Sequence, residues 1–179
     1  MHGFSPETTY AAAAFLWAGI GALCDVRSRR IPNWLTGSGM VAGLLLHLAL
    51  GGWRSLGSAA LGGLIAGAIF FAFYISGGLG AGDVKLMVAV CCFAGVHAIA
   101  GILVGTALIG GVFAIVLALA HHRLKETFAN VARLMVHHGL AGLRPHPELN
   151  LSNPRSLRLP YGLAIAAGAG SSLCGVLLR

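Results

Sequence analysis

The chain has 179 residues, of which 57% are hydrophobic and only 9% charged, and its mean hydropathy is +0.83. That composition excludes an ordinary water-soluble domain and predicts an all-α fold, a polytopic bundle of membrane-spanning helices. The formal net charge of +7 would suit a nucleic-acid binder. In a membrane chain, basic loop residues report topology first, so the expected partner is the lipid bilayer and no nucleic acid.

In chain order, Met1 to Glu7 carries no Lys or Arg for the n-region of a cleavable signal, and Leu23 is bulky where a lipoprotein would need a small residue before Cys24. The first apolar segment is therefore expected to stay in place. A span needs about 20 mostly apolar residues, and six segments qualify: 8–24, 34–50, 57–76, 84–97, 98–120 and 159–178. The fourth is short and runs into the fifth almost without a polar break, with Gly95 and His97 as the turn between them. One bent span over 84–120 would instead leave five crossings and move the C-terminus to the other side. Residues 121–158 form the one polar insertion, expected in the cytoplasm. Within it Leu124, Phe128, Val131 and Met135 recur at helical spacing, which predicts a short amphipathic helix on the membrane surface. Gly139, Gly142 and Pro145 mark its end, and Asn150 to Pro154 has the composition of a loop. The whole chain, 1–179, is expected to be a single integral membrane domain; nothing in it signals an oligomeric state.

Lys and Arg fix the expected orientation. Arg27, Arg29, Arg30, Lys85, Arg123, Lys125, Arg133, Arg144, Arg155 and Arg158 fall on one side of a six-span topology, and only Arg54 and Arg179 on the other. Basic residues are retained in cytoplasmic loops, so the N-terminus and C-terminus are expected outside. The four cysteines, Cys24, Cys91, Cys92 and Cys174, form no C-x-x-C, and the eight histidines include no H-E-x-x-H. Neither a metal nor any other cofactor is expected. Among the 27 glycines, the spacings Gly39 to Gly43 and Gly63 to Gly67 allow close approach of membrane helices.

Asp25 and Asp83 are the chain's only aspartates, and each stands at the edge of an apolar segment. Ionisable groups beside hydrocarbon are expensive and usually face a protein interior or a water-filled cavity. Two complete spans separate them, so both return to one face and can meet. Gly77, Gly78, Gly80 and Gly82, just before Asp83, permit non-helical backbone there, tolerated at membrane depth only where protein or water lines it. Two facing carboxylates share a proton. The ionised member can then activate water while its protonated partner bonds the scissile carbonyl. The residues alone leave a structural alternative open: Asp83 as a helix N-cap and Asp25 as an ion-pair partner of Arg27 or Arg29. They also leave open a small proton-coupled transporter and a noncatalytic membrane scaffold. A serine intramembrane protease fits poorly, since Thr36 stands where Gly37-Ser38-Gly39 would need a preceding glycine, and only His47 is near.

Asp25-Val26-Arg27-Ser28-Arg29-Arg30-Ile31-Pro32-Asn33 and Gly80-Ala81-Gly82-Asp83-Val84-Lys85-Leu86 together resemble the type IV prepilin peptidase family of G-x-G-D membrane aspartyl proteases. Leu159-Pro160-Tyr161-Gly162-Leu163-Ala164-Ile165-Ala166 resembles the family's closing span. The resemblance runs from the first span onward. It implies removal of the leader peptide from prepilins at the cytoplasmic face of a bacterial inner membrane, with Asp25 and Asp83 catalytic. Long family members add a cysteine-rich cytoplasmic insertion and methylate the new N-terminus. This chain lacks those cysteines and resembles the short, peptidase-only form associated with tight-adherence (Flp) pili. Within the same segments, Gly80 and Gly82 would shape the notch. Lys85 would stabilise an aspartate or orient substrate, or else snorkel to the interface. Tyr161 would line the notch or anchor the interface. Pro32 and Asn33 would open the second span, with Asn33 as its cap.

Overall fold

Helices dominate because the apolar segments can satisfy every backbone group internally, as a lipid-embedded chain must. The computed structural model describes residues 5–144, 149 and 160–178. These form α1 (Pro6–Ser28), α2 (Asn33–Ile75), α3 (Ala81–Ala94), α4 (Ile99–Ala120), α5 (Leu124–Ala141) and α6 (Tyr161–Leu177), with a 3-10 turn at Val96–Ala98. No strand occurs among the described residues. By length and composition, Pro6–Ser28, Asn33–Ile75 and Val96–Ala120 can cross a membrane, while α6 is apolar but only 17 residues long. The expected loop at Asn150 to Pro154, together with Pro145, Arg155, Arg158, Leu159 and Arg179, lies outside the described residues.

The sequence pattern separates 34–50 from 57–76 by a short connection. The structure has no such connection. The helix runs to Gly52, whose φ of 66° and ψ of −163° break it, and resumes at once. The two limbs, 33–51 and 53–75, lie along α3 in opposite directions. In the first limb, Asn33 meets Lys85 and Gly43 packs on the backbone of Cys92 and Phe93. In the second, Ser58 accepts the Val96 N–H, Gly62 packs against Cys91 and Gly95, and Gly67 against Val88. A methyl group on Gly43 would stand 2.8 Å from that backbone, so glycine is what permits the approach. The partner of Gly39 is different: its neighbour is the Trp17 indole of α1.

The hairpin is held at the Gly52 end by buried polar contacts. His47 reaches Ser55 Oγ through Nδ1 at 2.7 Å and the Phe93 carbonyl through Nε2 at 2.8 Å. A carbonyl only accepts, so Nε2 carries the proton and Nδ1 takes the hydroxyl hydrogen. Tyr10 stacks on the imidazole with centroids 3.7 Å apart. At Gly95 the chain breaks again, with φ 75° and ψ 173°, dividing α3 from α4 where the sequence puts its turn.

α6 runs antiparallel to both α1 and α4: Gly162 packs on Ala22 and Asp25, Gly170 on Phe15, Gly168 on Ile102 and Thr106, and Gly110 on Ala164 and Tyr161. The core between these helices gathers Leu86, Met87, Val90, Ile102 and Ile165, all fully buried. At about 1.5 Å per residue, the 14 residues of α3 extend only about 20 Å, short of a hydrocarbon layer of about 30 Å. α2 continues past Phe70 to Ile75 and α4 past Gly110 to Ala120. α2 ends and α3 begins on the same side of the bundle, where the end of α1 and the start of α6 also meet. α5 forms where its periodicity predicts one, continues through Gly139 and stops at Gly142, whose φ is 65°. Phe128, Val131 and Met135 on it are exposed.

Candidate active site

Asp25 sits in the last full turn of α1 and is buried. Its carboxylate Oδ2 accepts the backbone N–H of Gly162 at 3.1 Å. Gly162 is the second residue of α6, so Asp25 lies against a helix N-terminus, where unpaired amides and the helix dipole favour negative charge. Glycine eases this approach, because a Cβ there would stand 3.1 Å from Ala22 Cα and 3.2 Å from Asp25 Oδ2, tighter than ordinary contact.

Asp83 is the third residue of α3, and its Oδ2 accepts the Gly80 N–H at 3.2 Å. The N-cap is thus Gly80, with Asp83 reaching back to it. This is one half of a capping box, the half available when the cap has no side chain. Gly80 has ordinary extended geometry (φ −81°, ψ 150°), and a Cβ there would stand 3.1 Å from Asp83 Oδ2, so a side chain would press on that carboxylate. Positive φ in this stretch belongs to Gly77 at 79°. Gly82 faces Ile31, 3.4 Å from where its Cβ would be.

The two carboxylates feel one another. Burial first, and then the charge of Asp25, raise the pKa of Asp83, against a smaller opposing pull from the Gly80 N–H. Tyr161, immediately before Gly162, is half-buried, meets Phe70 edge-on with centroids 6.2 Å apart, and lies within electrostatic reach of Asp83. The structure thus brings Asp25, Asp83, Gly80 and Tyr161 together at the junction of α1, α3 and α6.

Lys85 points elsewhere. Its ammonium donates to Asn33 Oδ1 at 2.9 Å, on the α2 side of α3. That contact also corrects the expected role of Asn33: the N-cap of α2 is Pro32, without a side-chain cap bond, and the Asn33 oxygen serves Lys85 instead. The residues sequence reasoning missed are Gly162, Asn33 as an acceptor and Ile31. Gly162 stood in the segment that resembles the family's closing span, but nothing local tied it to a carboxylate 137 positions earlier. Among the described residues, no three His, Cys, Asp or Glu side chains gather into a group that could hold a metal ion.

A carboxylate pair on separate helices, with one oxygen of each held by an amide at a helix N-terminus, is suited to general acid–base work on a polar bond. No curated protein and no solved structure matches this chain. Among the described residues, three helices are long and apolar enough to cross a membrane, as suits a multi-pass membrane protein. Residues 12–115, more than half of the chain and including both aspartates, match the type IV leader peptidase family, and the chain belongs to that family.

Proposed function

We propose that this protein is a membrane aspartyl endopeptidase that removes the leader peptide of type IV, Flp-like prepilins, with Asp25 and Asp83 as its catalytic residues. The observation that carries this is the mutual approach of the only two aspartates in the chain at the junction of α1, α3 and α6. In the working state the pair holds one proton. The ionised member takes a proton from water as its oxygen attacks the scissile carbonyl, and the protonated member donates to the carbonyl oxygen. As the tetrahedral intermediate collapses the C–N bond breaks, the leaving amine takes one proton from the pair, and the hydroxyl proton of the intermediate returns to the pair as the C=O re-forms, restoring the starting state. No metal enters these steps.

The six-span topology is part of this proposal. The reversal at Gly52 and the break at Gly95 support it, and the asymmetry of Lys and Arg supports a site at the cytoplasmic face of a bacterial inner membrane. Residues 1–179 then act as one domain, with 121–158 cytoplasmic and α5 lying on the lipid surface. The enzyme has no methyltransferase activity, since the chain carries no cysteine-rich insertion.

Co-expression with prepilins of the same organism tests the reading. The wild type converts precursor to mature pilin on a gel, and mass spectrometry of that product shows a free, unmethylated N-terminus. Asp25→Asn and Asp83→Asn, nearly isosteric but unable to ionise, abolish the conversion, and the double variant is little worse than either, because the pair works as a unit. Substantial processing by either single variant at wild-type abundance would refute the dyad.

A further inference from the structure

We infer that residues 29–32 form a strap that sets the approach of the two carboxylates, and that Lys85 is a positioning residue that fixes the strap through Asn33. This rests on the proposed catalytic role of Asp25 and Asp83.

The strap starts at Asp25 itself. Arg29 leaves helical geometry with φ 53°, and its N–H closes on the Asp25 backbone carbonyl at 2.8 Å. Ser28 Oγ lies 2.8 Å from the Cys24 carbonyl and 2.9 Å from that of Arg30, so the turn is tied to α1 and to its own continuation. Ile31 then crosses Gly82, the residue before Asp83, and packs against the core. Asn33 follows and takes the Lys85 ammonium at 2.9 Å, two residues beyond Asp83. The short connection from Asp25 thus touches α3 on both sides of Asp83.

Helical geometry separates the duties of Asp83 and Lys85. With 3.6 residues per turn, neighbours two apart point about 200° from one another. Asp83 faces α1 and α6 while Lys85 faces α2, so Lys85 does not share the site. The Lys85–Asn33 bond is exposed, and an exposed polar pair adds little to stability. Its loss should show in geometry first: reacting groups misplaced by about 1 Å can cost 100-fold in rate.

The test compares Lys85→Met, Asn33→Ala, their combination and the exchange Asn33→Lys with Lys85→Asn, in the full-length purified protein acting on a prepilin of the same organism that the wild type cleaves. Asp25→Asn and Asp83→Asn run in parallel. Each single variant should lower kcat about tenfold, with KM within about twofold of wild type and an unchanged thermal midpoint. The combination should be no worse than either single, and the exchange should recover most of the rate. A rise in KM with kcat intact would make Lys85 a substrate contact and overturn the inference, as would additive losses, unchanged rates, a lowered thermal midpoint that accounts for the loss, or an exchange that rescues nothing. Active aspartate variants would remove the proposed function itself; inactive ones beside a fully active Lys85→Met would remove only the strap.

Discussion

Replacing Gly162 by alanine adds one methyl group at the point where α6 meets Asp25. Its Cβ would stand 3.1 Å from Ala22 Cα, 3.1 Å from Asp25 Cβ and 3.2 Å from Asp25 Oδ2. Ordinary contact begins near 3.4 Å, and backbone of a packed helix cannot swing aside, so α6 must retreat by a few tenths of an ångström. The Gly162 N–H to Asp25 bond, 3.1 Å long, then lengthens towards about 3.5 Å, the edge of hydrogen bonding. A hydrogen bond to a charged group contributes about 1.5 to 3 kcal/mol. If that donor holds Asp25 in its working position, the rate of precursor cleavage falls roughly 10- to 150-fold. The assay is the initial rate with purified enzyme at matched concentration. Gly175→Ala, on the same helix with nothing within 4 Å of its Cβ, is the control and should keep wild-type activity. Wild-type cleavage by Gly162→Ala would show that the α6 amide does not govern the site, and equal losses in both variants would point to α6 as a whole.

Further outcomes follow from the electrostatics and the topology. Because the folded protein raises the pKa of Asp83, it holds that proton more tightly than the unfolded chain, which titrates near about 4. The Asp83 contribution to stability is therefore complete below about 4 and is lost as pH rises through the raised folded value. Asp83→Asn, neutral throughout, should melt above wild type at neutral pH and converge with it below about pH 4; a lower midpoint at neutral pH would refute the assignment. Cleavage by the wild type should follow a bell-shaped pH profile whose limbs belong to the pair and not to either residue, and a profile flat across this range would argue against it. Reporter fusions should put the C-terminus outside and residues 121–158 in the cytoplasm; a cytoplasmic C-terminus would mean an odd number of crossings.

Much of the fold was legible because composition and periodicity are local properties. Apolar runs of span length gave helices, Gly95 marked a real break, and the spacing of Leu124, Phe128, Val131 and Met135 located α5. What the sequence hid depends on partners far along the chain. Residues 51–56 read as a connection between two spans, yet Ser55 meets His47 and Tyr10, and Ser58 just beyond takes the Val96 N–H, so these polar residues belong to helix contacts and not to a loop. Asn33 after Pro32 looks like a cap until Lys85, 52 positions later, takes its oxygen.

The same contrast governs the site. Two lone aspartates at apolar edges could be picked out by the cost of placing charge beside hydrocarbon, but their chemistry depends on what holds them. Asp83 carries its own donor within the same turn, in the G-x-G-D pattern itself, so sequence and geometry coincide there. Asp25 has no donor nearby in its sequence; its amide arrives from the far end of the chain at α6. One half of the site is therefore written in a four-residue motif, and the other exists only once α1 and α6 have packed antiparallel through Ala22, Phe15 and their glycine partners. Changes that loosen that packing should impair Asp25 before they unfold the bundle, since the core around Leu86, Val90 and Ile165 remains buried on the other faces of the helices.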